Sequence, residues 1–210
     1  MNTPRQPLSP FVLGLFALAV AQSPTRAQAT LVVGPTGLAE IRDAIALAAP
    51  GDVIVVDPGT YAHFELGIGV TIRARTPGTV QIEFDPAQLP AGCQTNLSCV
   101  LTEASTRIGL AADQTVVLDG LDFVGNEFVT AFFGVTMHHR VQIIGGTVVA
   151  ERCTFATSGS AALSVVATTL VLRECTAIST GTANFSMPGL EATQSTVHAL
   201  DSSFTGSQFL

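Results

Sequence analysis

Four stretches of the chain align without gaps: TVVLDGLDF at 115–123, TVVAERCTF at 147–155, TLVLRECTA at 169–177 and TVHALDSSF at 196–204. Their starts lie 32, 22 and 27 residues apart. Each opens with Thr and places aliphatic residues at its second and fourth positions. Leu121, Cys153, Cys175 and Ser202 share the seventh position, and Phe or Ala the ninth. The alternation has period two, the mark of a strand with one buried face. Variable spacing around a constant unit puts the insertions in the turns.

A spacing near 22 residues is too short for a strand–helix–strand crossover, which takes about 30. No amphipathic helix separates the units. A sandwich of hairpins would not return the same side chain to the same position in every unit. Stacked parallel coils do return it, with like residues about 4.8 Å apart. The expected fold is therefore all-β, a parallel β-helix solenoid over residues 30–210, with a loop insertion at 85–105. Upstream, Leu38, Ile41, Ile45 and Ala48 recur at helical spacing before a Pro-Gly break at 50–51. This predicts a capping helix over 38–49, with Thr36 or Gly37 at its N-cap. Such a helix shields the apolar interior and strand edges that a first coil would expose. The strand Val53–Val56 and a turn at Pro58-Gly59-Thr60-Tyr61 follow.

The run IRDAIALAAPGDVIVVDPGTY at 41–61, followed by VTIRA at 70–74, resembles the opening of right-handed parallel β-helix proteins of the pectin-lyase-like superfamily. With the later units, the resemblance covers about residues 30–206. It implies right-handed winding and is nearly silent about chemistry, because one fold hosts many functions.

Composition narrows the classes. The 210 residues are 47% apolar and 12% charged, which excludes a disordered chain. Lys is absent and Glu occurs eight times, which excludes a coiled coil. A formal charge of −7 without an Arg cluster argues against nucleic acid as a partner. Residues 1–29 have the layout of a signal peptide: Arg5, an apolar run from Phe11 to Ala21, and the small-residue site Ala27-Gln28-Ala29. The run is shorter than the roughly 20 residues a membrane span needs. Cleavage after Ala29 would leave a more acidic, secreted chain, extracellular or periplasmic, with its four Cys in an oxidising compartment.

In that setting Cys93 and Cys99, bracketing a short loop, are expected to form a local disulfide. Cys153 and Cys175 fall on equivalent inward positions of adjacent coils. A disulfide there is within Cα range, yet parallel Cβ vectors favour a stack of thiols. The same register sets Glu151 beside Arg173 and Arg152 beside Glu174, two exposed ion pairs. Asp119, Asp122, Asn126 and Glu127 gather oxygen ligands in one loop. Ca²⁺ is the cofactor such a group would take, although the loop matches no known calcium motif and turn chemistry explains it as well. His138 and His139 are expected on opposite faces of a strand or turn, and His63 and His198 stand alone. The column Thr115, Thr147, Thr169, Thr196 beside Val117, Val149 and Val171 reads as an exposed sheet face, or as a flat docking strip for an ordered ligand such as ice.

Three functions compete. The reading we favour from sequence is a non-catalytic, exported module with no required cofactor, binding a polysaccharide or another surface protein along its lateral face. A polysaccharide lyase or glycoside hydrolase is the alternative. The resemblance then implies an Asp cluster with Ca²⁺ and a basic Arg, for which Asp119, Asp122 and Arg140 are the nearest candidates, with Glu151 and Arg173 as a carboxylate–guanidinium pair. The adjacent acidic pair and Gly-His-Gly element of the galacturonan hydrolases are missing. Only Thr205 to Leu210 follow the last unit, so self-association through a bare C-terminal coil is the third reading.

Overall fold

The computed structural model describes residues 27–85, 93, 105–125, 127–129, 136–138, 140–158, 160–180 and 188–206. The expected signal peptide therefore lies outside it apart from 27–29. Among the described residues no helix is long and apolar enough to cross a membrane.

In chain order, β1 (Thr30–Val33) leads to α1 (Ile41–Leu47), after which strands come in threes. The first set is β2 (Val53–Val56), β3 (Gly59–Ala62) and β4 (Glu65–Leu66), and the second β5 (Thr71–Ala74), β6 (Val80–Glu83) and β7 (Ser105–Gly109). Next come β8 (Thr115–Asp119) and β9 (Leu121–Val124). A small ribbon of β10 (Glu127–Val129) and β11 (Thr136–His138) precedes β12 (Arg140–Ile144). The last coils contain β13 (Thr147–Glu151), β14 (Thr154–Ser158), β15 (Leu163–Val166), β16 (Thr169–Arg173), β17 (Thr176–Thr180), β18 (Leu190–Thr193), β19 (Thr196–Leu200) and β20 (Ser203–Thr205).

The first strand of each set joins one sheet, the second another and the third a third. Sheet A runs β1-β2-β5-β8-β13-β16-β19, sheet B β3-β6-β9-β14-β17-β20 and sheet C β4-β7-β12-β15-β18. All pairings in these three sheets are parallel, whereas β10 and β11 pair antiparallel as a local excursion. The chain thus visits A, B and C in turn, coil upon coil. Thr147 pairs with Thr169 and Thr169 with Thr196, as the repeat alignment requires.

Side chains that point inward form columns along the axis. Ile54, Ile72, Leu118, Ala150 and Leu172 line sheet A; Tyr61, Ile82, Phe123, Phe155 and Ala177 line sheet B. All are buried. Phe123 and Phe155 stack with ring centroids 5.1 Å apart and planes within 7°. Identical residues one coil apart are held face over face by the backbone spacing, so the stack follows from register.

Two corners use one device. At the A–B corner the residue after the sheet A strand is left-handed: Gly120, Arg152, Glu174 and Asp201, with φ of 70°, 52°, 53° and 50°. At the C–A corner Gly145, Ala167 and Gln194 do the same, at 74°, 51° and 51°. A Ser, Thr or Cys often follows and donates to the carbonyl two residues back. Ser202 donates to Leu200 at 2.9 Å, Thr168 to Val166 at 2.9 Å and Ser195 to Thr193 at 2.9 Å. The same oxygens accept an N–H from the coil above: Ser202 from Cys175 and Ser195 from Thr168, both at 3.1 Å. Each corner is thereby bonded to itself and to its neighbour.

The third corner, between B and C, carries the length variation. By sequence position, the predicted insertion at 85–105 and the stretches 125–139 and 181–189 each fall between a sheet B strand and a sheet C strand. Of the first, only Asp85, Cys93 and Ser105 are described.

At the first coil, α1 is shorter than the predicted 38–49. Its N-cap is Glu40 rather than Thr36 or Gly37, which sit in a preceding turn where Gly37 N–H bonds Gly34. Glu40 makes no side-chain cap; its carboxylate instead accepts Ala62 N–H at 3.1 Å, tying the helix to β3. Ile41 and Ala44 are fully buried over the core. Asp52, 2% exposed, accepts Ala49 N–H at 2.8 Å and Ala29 N–H at 2.9 Å, so one buried carboxylate fastens the helix end and the first strand. The predicted turn at 58–61 is corrected too: the bend is at Asp57-Pro58, and Gly59 to Ala62 form β3 because they pair with β6. At the opposite end Leu200 and Phe204 are 61% and 42% exposed, and nothing among the described residues pairs with the outer edge of β19.

A left-handed conformation costs an ordinary residue about 1–2 kcal/mol, partly offset by the entropy a Gly would lose. Glu174→Gly is therefore expected to stabilise the fold by about 0.5–1 kcal/mol in chemical denaturation. Gly120→Ala should do the reverse, since a Cβ there would lie 2.8 Å from Pro77 Cα. Equal effects in the same direction would refute the corner assignment.

Candidate functional site

Sheet C presents its outward side chains in two columns. One runs Glu65, Arg107, Gln142, Ser164, Glu191; the other includes Gly109, Ile144, Val166 and Thr193. Where the strands of the first three coils meet, Gly67 and Gly109 leave the second column without side chains. The result is a cleft of ≈ 180 Å³ lined by Glu65, Gly67, Arg107, Gly109, Gln142 and Ile144, with Leu66 and Ile108 beneath. A Cβ at Gly109 would meet no atom within 4 Å, and one at Gly67 only Gly109 O at 3.8 Å. The glycines are therefore not there for close packing. They keep the cleft open.

One wall is polar. The Arg107 guanidinium lies 2.7 Å from the Glu65 carboxylate, with Gln142 on the next coil. The other wall is Ile144, 43% exposed. Arg107 and Glu65 keep free donor and acceptor positions toward solvent, because one N···O contact uses a fraction of five donors and two oxygens. Two more open depressions lie near the helix-capped end. The ≈ 290 Å³ one is lined by Glu40, Tyr61, Glu83 and Asp85, and the ≈ 450 Å³ one by Gly34, Pro58 and Tyr61. Tyr61 is no free acid there: burial, then the carboxylates of Asp57 and Glu40, push its phenol up, and its O–H donates to Asp57 O at 2.9 Å.

The catalytic candidates read from sequence separate into three places. Asp119, Glu151 and Arg173 share one outward column of sheet A. Glu151 and Arg173 pair as expected, at 2.6 Å. The expected partner of Arg152 is corrected: it bonds Asp119 at 2.5 Å, not Glu174. Both Arg152 and Glu174 are left-handed corner residues, so their side chains leave the strand direction, and Arg152 reaches back to the preceding coil. Asp122 sits on the outer face of sheet B beside Gln81 and Thr154, across the Gly120 corner from Asp119. Arg140 opens β12 on sheet C beside Ser105. Asp119, Asp122 and Arg140 thus lie on three different sheets.

Of the calcium candidates, Asp119 is engaged by Arg152, Glu127 lies in β10 and Asn126 falls outside the described residues. Among the described residues no three His, Cys, Asp or Glu side chains come together as metal ligands. His63 accepts Asp85 N–H at 3.4 Å and lies against the Phe84 ring; His138 is in β11, and His139 is outside the described residues. Cys99, the expected partner of Cys93, is outside them as well. Cys153 and Cys175 are free, buried thiols, so the alternative of a disulfide between them does not hold; parallel strands aim the two sulfurs the same way.

Sequence reasoning missed the cleft. Its residues belong to three coils of unequal length, and its signal is two glycines 42 residues apart, Gly67 and Gly109, that align only after the insertion is skipped. Compared with protein-family models, with curated proteins and with solved structures, the chain matches none.

The sheet A ion pairs are half exposed, with Arg173 at 56% and Glu151 at 30%. A Glu151→Gln/Arg173→Gln double-mutant cycle should give a coupling below about 1 kcal/mol that largely disappears in 1 M salt. A larger, salt-resistant coupling would mark this pair as more than a register contact.

Proposed function

We propose that this chain is an exported, non-catalytic module of the pectin-lyase-like superfamily, wound right-handed, that binds a polysaccharide across the lateral face of sheet C. The observation that carries this reading is the glycine-floored cleft with one polar and one aliphatic wall. A sugar ring has hydroxyls at its edge and C–H groups on its faces. Arg107, Glu65 and Gln142 supply donors and acceptors for the edge, and Ile144 supplies apolar contact. At ≈ 180 Å³ the cleft is smaller than the roughly 300–1,000 Å³ of sites that enclose a whole ligand. That suits one unit of a polymer crossing the coils. The net charge of −7 and the single guanidinium favour a neutral or sparsely charged glycan over a polyuronate.

The catalytic reading would need two carboxylates free to exchange protons about 5–10 Å apart, or a base beside a bound cation. Asp119 and Glu151 are instead each held by an arginine.

Affinity electrophoresis against a polysaccharide panel, with and without Ca²⁺, tests the proposal. At least one neutral glycan should retard the wild type. Gly109→Leu should fold normally and lose at least ten-fold in affinity, because its side chain fills the cleft. New reducing or unsaturated ends would overturn the non-catalytic reading, and undiminished binding by Gly109→Leu would overturn the site.

A further inference from the structure

Cys153 and Cys175 are free thiols, 1% and 3% exposed, and the only members of their column that carry sulfur. Their positions are fixed by the pairs on either side, Glu151 with Arg173 and Thr154 with Thr176, and by Thr176 N–H bonding Cys153 O at 3.0 Å. Each sulfur is held by the corner device: Cys153 donates to Glu151 O and Cys175 to Arg173 O, both at 3.3 Å, and Cys175 also approaches Ala150 O at 3.3 Å. In this column Leu121 precedes the pair and Ser202 follows it, so two thiols point the same way one coil apart with no third sulfur among the described residues of the column.

This arrangement suits a linear bond through a metal better than a sulfur–sulfur bond. A disulfide needs sulfurs about 2 Å apart with a dihedral near 90°, which parallel side chains on adjacent coils oppose. A metal–thiolate bond is about 2.3 Å. Two such bonds in line span about 4.6 Å, close to the roughly 4.8 Å between coils. Zinc would want four ligands, and soft sulfur donors favour copper(I).

We propose that Cys153 and Cys175 form a two-coordinate site for a soft closed-shell cation of the copper(I) and silver(I) class, held in line between the two sulfurs. Binding releases both thiol protons to solvent and leaves a bis-thiolate carrying one net negative charge, with no change of oxidation state.

Silver(I), stable in air, is the probe. Reduced wild type and the variants Cys153→Ser and Cys175→Ser are each incubated with silver(I) in chloride-free buffer, desalted and analysed for metal. Serine suits the corner, since Ser202 makes the same backbone bonds. The wild type should retain one silver ion more than either variant, whose Cys93 and Cys99 report any other sulfur binding, and only the wild type should gain thermal stability. Equal retention by the wild type and either variant overturns the proposal. Should a variant fail to fold, X-ray absorption of the wild type loaded with one equivalent decides alone. Two sulfur neighbours and no others support the site, and a third sulfur or any nitrogen or oxygen neighbour removes it.

Discussion

Everything in this molecule depends on the corners. A parallel coil can stack on the next only if both turn at the same residue and leave their backbone groups facing along the axis. In the later coils the A–B and C–A corners meet this demand with one left-handed residue followed by Ser, Thr or Cys, whereas Gly120 is followed by Leu121 and Gly145 by Gly146. The side chain satisfies a carbonyl of its own coil, and where Ser195 and Ser202 are concerned it also accepts an N–H from the coil above. Conformational strain at Arg152, Ala167, Glu174, Gln194 and Asp201 is the cost, and it is offset by the bonds that Cys153, Thr168, Cys175, Ser195 and Ser202 make to the carbonyl two residues back. Without this, a one-residue slip would turn an inward column outward.

This explains how much of the fold could be read. The four aligned stretches each contain a sheet A strand, the A–B corner and a sheet B strand, the part of the coil whose length never changes. The seventh-position column, Leu121, Cys153, Cys175 and Ser202, is the residue that follows the left-handed corner, and Gly120 and Asp201 before it are residues that tolerate positive φ. That hint was in the sequence. Sheet C was not legible, because it follows the corner that takes the insertions, and its strands start at unequal distances from the units upstream. The cleft is hidden for the same reason: it is a property of sheet C register. The helix boundary was misjudged because Glu40 looks like part of an amphipathic turn, whereas its carboxylate is used by Ala62, far along the chain.

The two ends of the solenoid differ in kind. At the first coil the buried Asp52 and the half-buried Glu40 tie together segments 20 or more residues apart, and α1 covers the apolar interior. At the last coil the inward columns simply continue to the surface, with Ala199 and Phe204 exposed. Stability should fall along the axis toward β18–β20, where each residue has neighbours on one side only. The lateral cleft lies among the first three triplet coils, near the fastened end, and the thiol pair lies near the looser one. A binding surface gains from the rigid half, since a groove built on fixed strands loses little entropy when a ligand docks.

The charged side chains then fall into place without any appeal to chemistry. On sheet A, strands repeat so closely that their aliphatic columns would nearly match if shifted by two residues. Charges discriminate between such shifts, because Glu151 opposite Arg173 and Asp119 within reach of Arg152 become mismatched when one coil slides. Exposed pairs of this sort contribute little to overall stability. What they contribute is the difference between the correct register and its neighbours. Asp119 with Arg152 and Glu151 with Arg173 thus mark the register in which one coil meets the next.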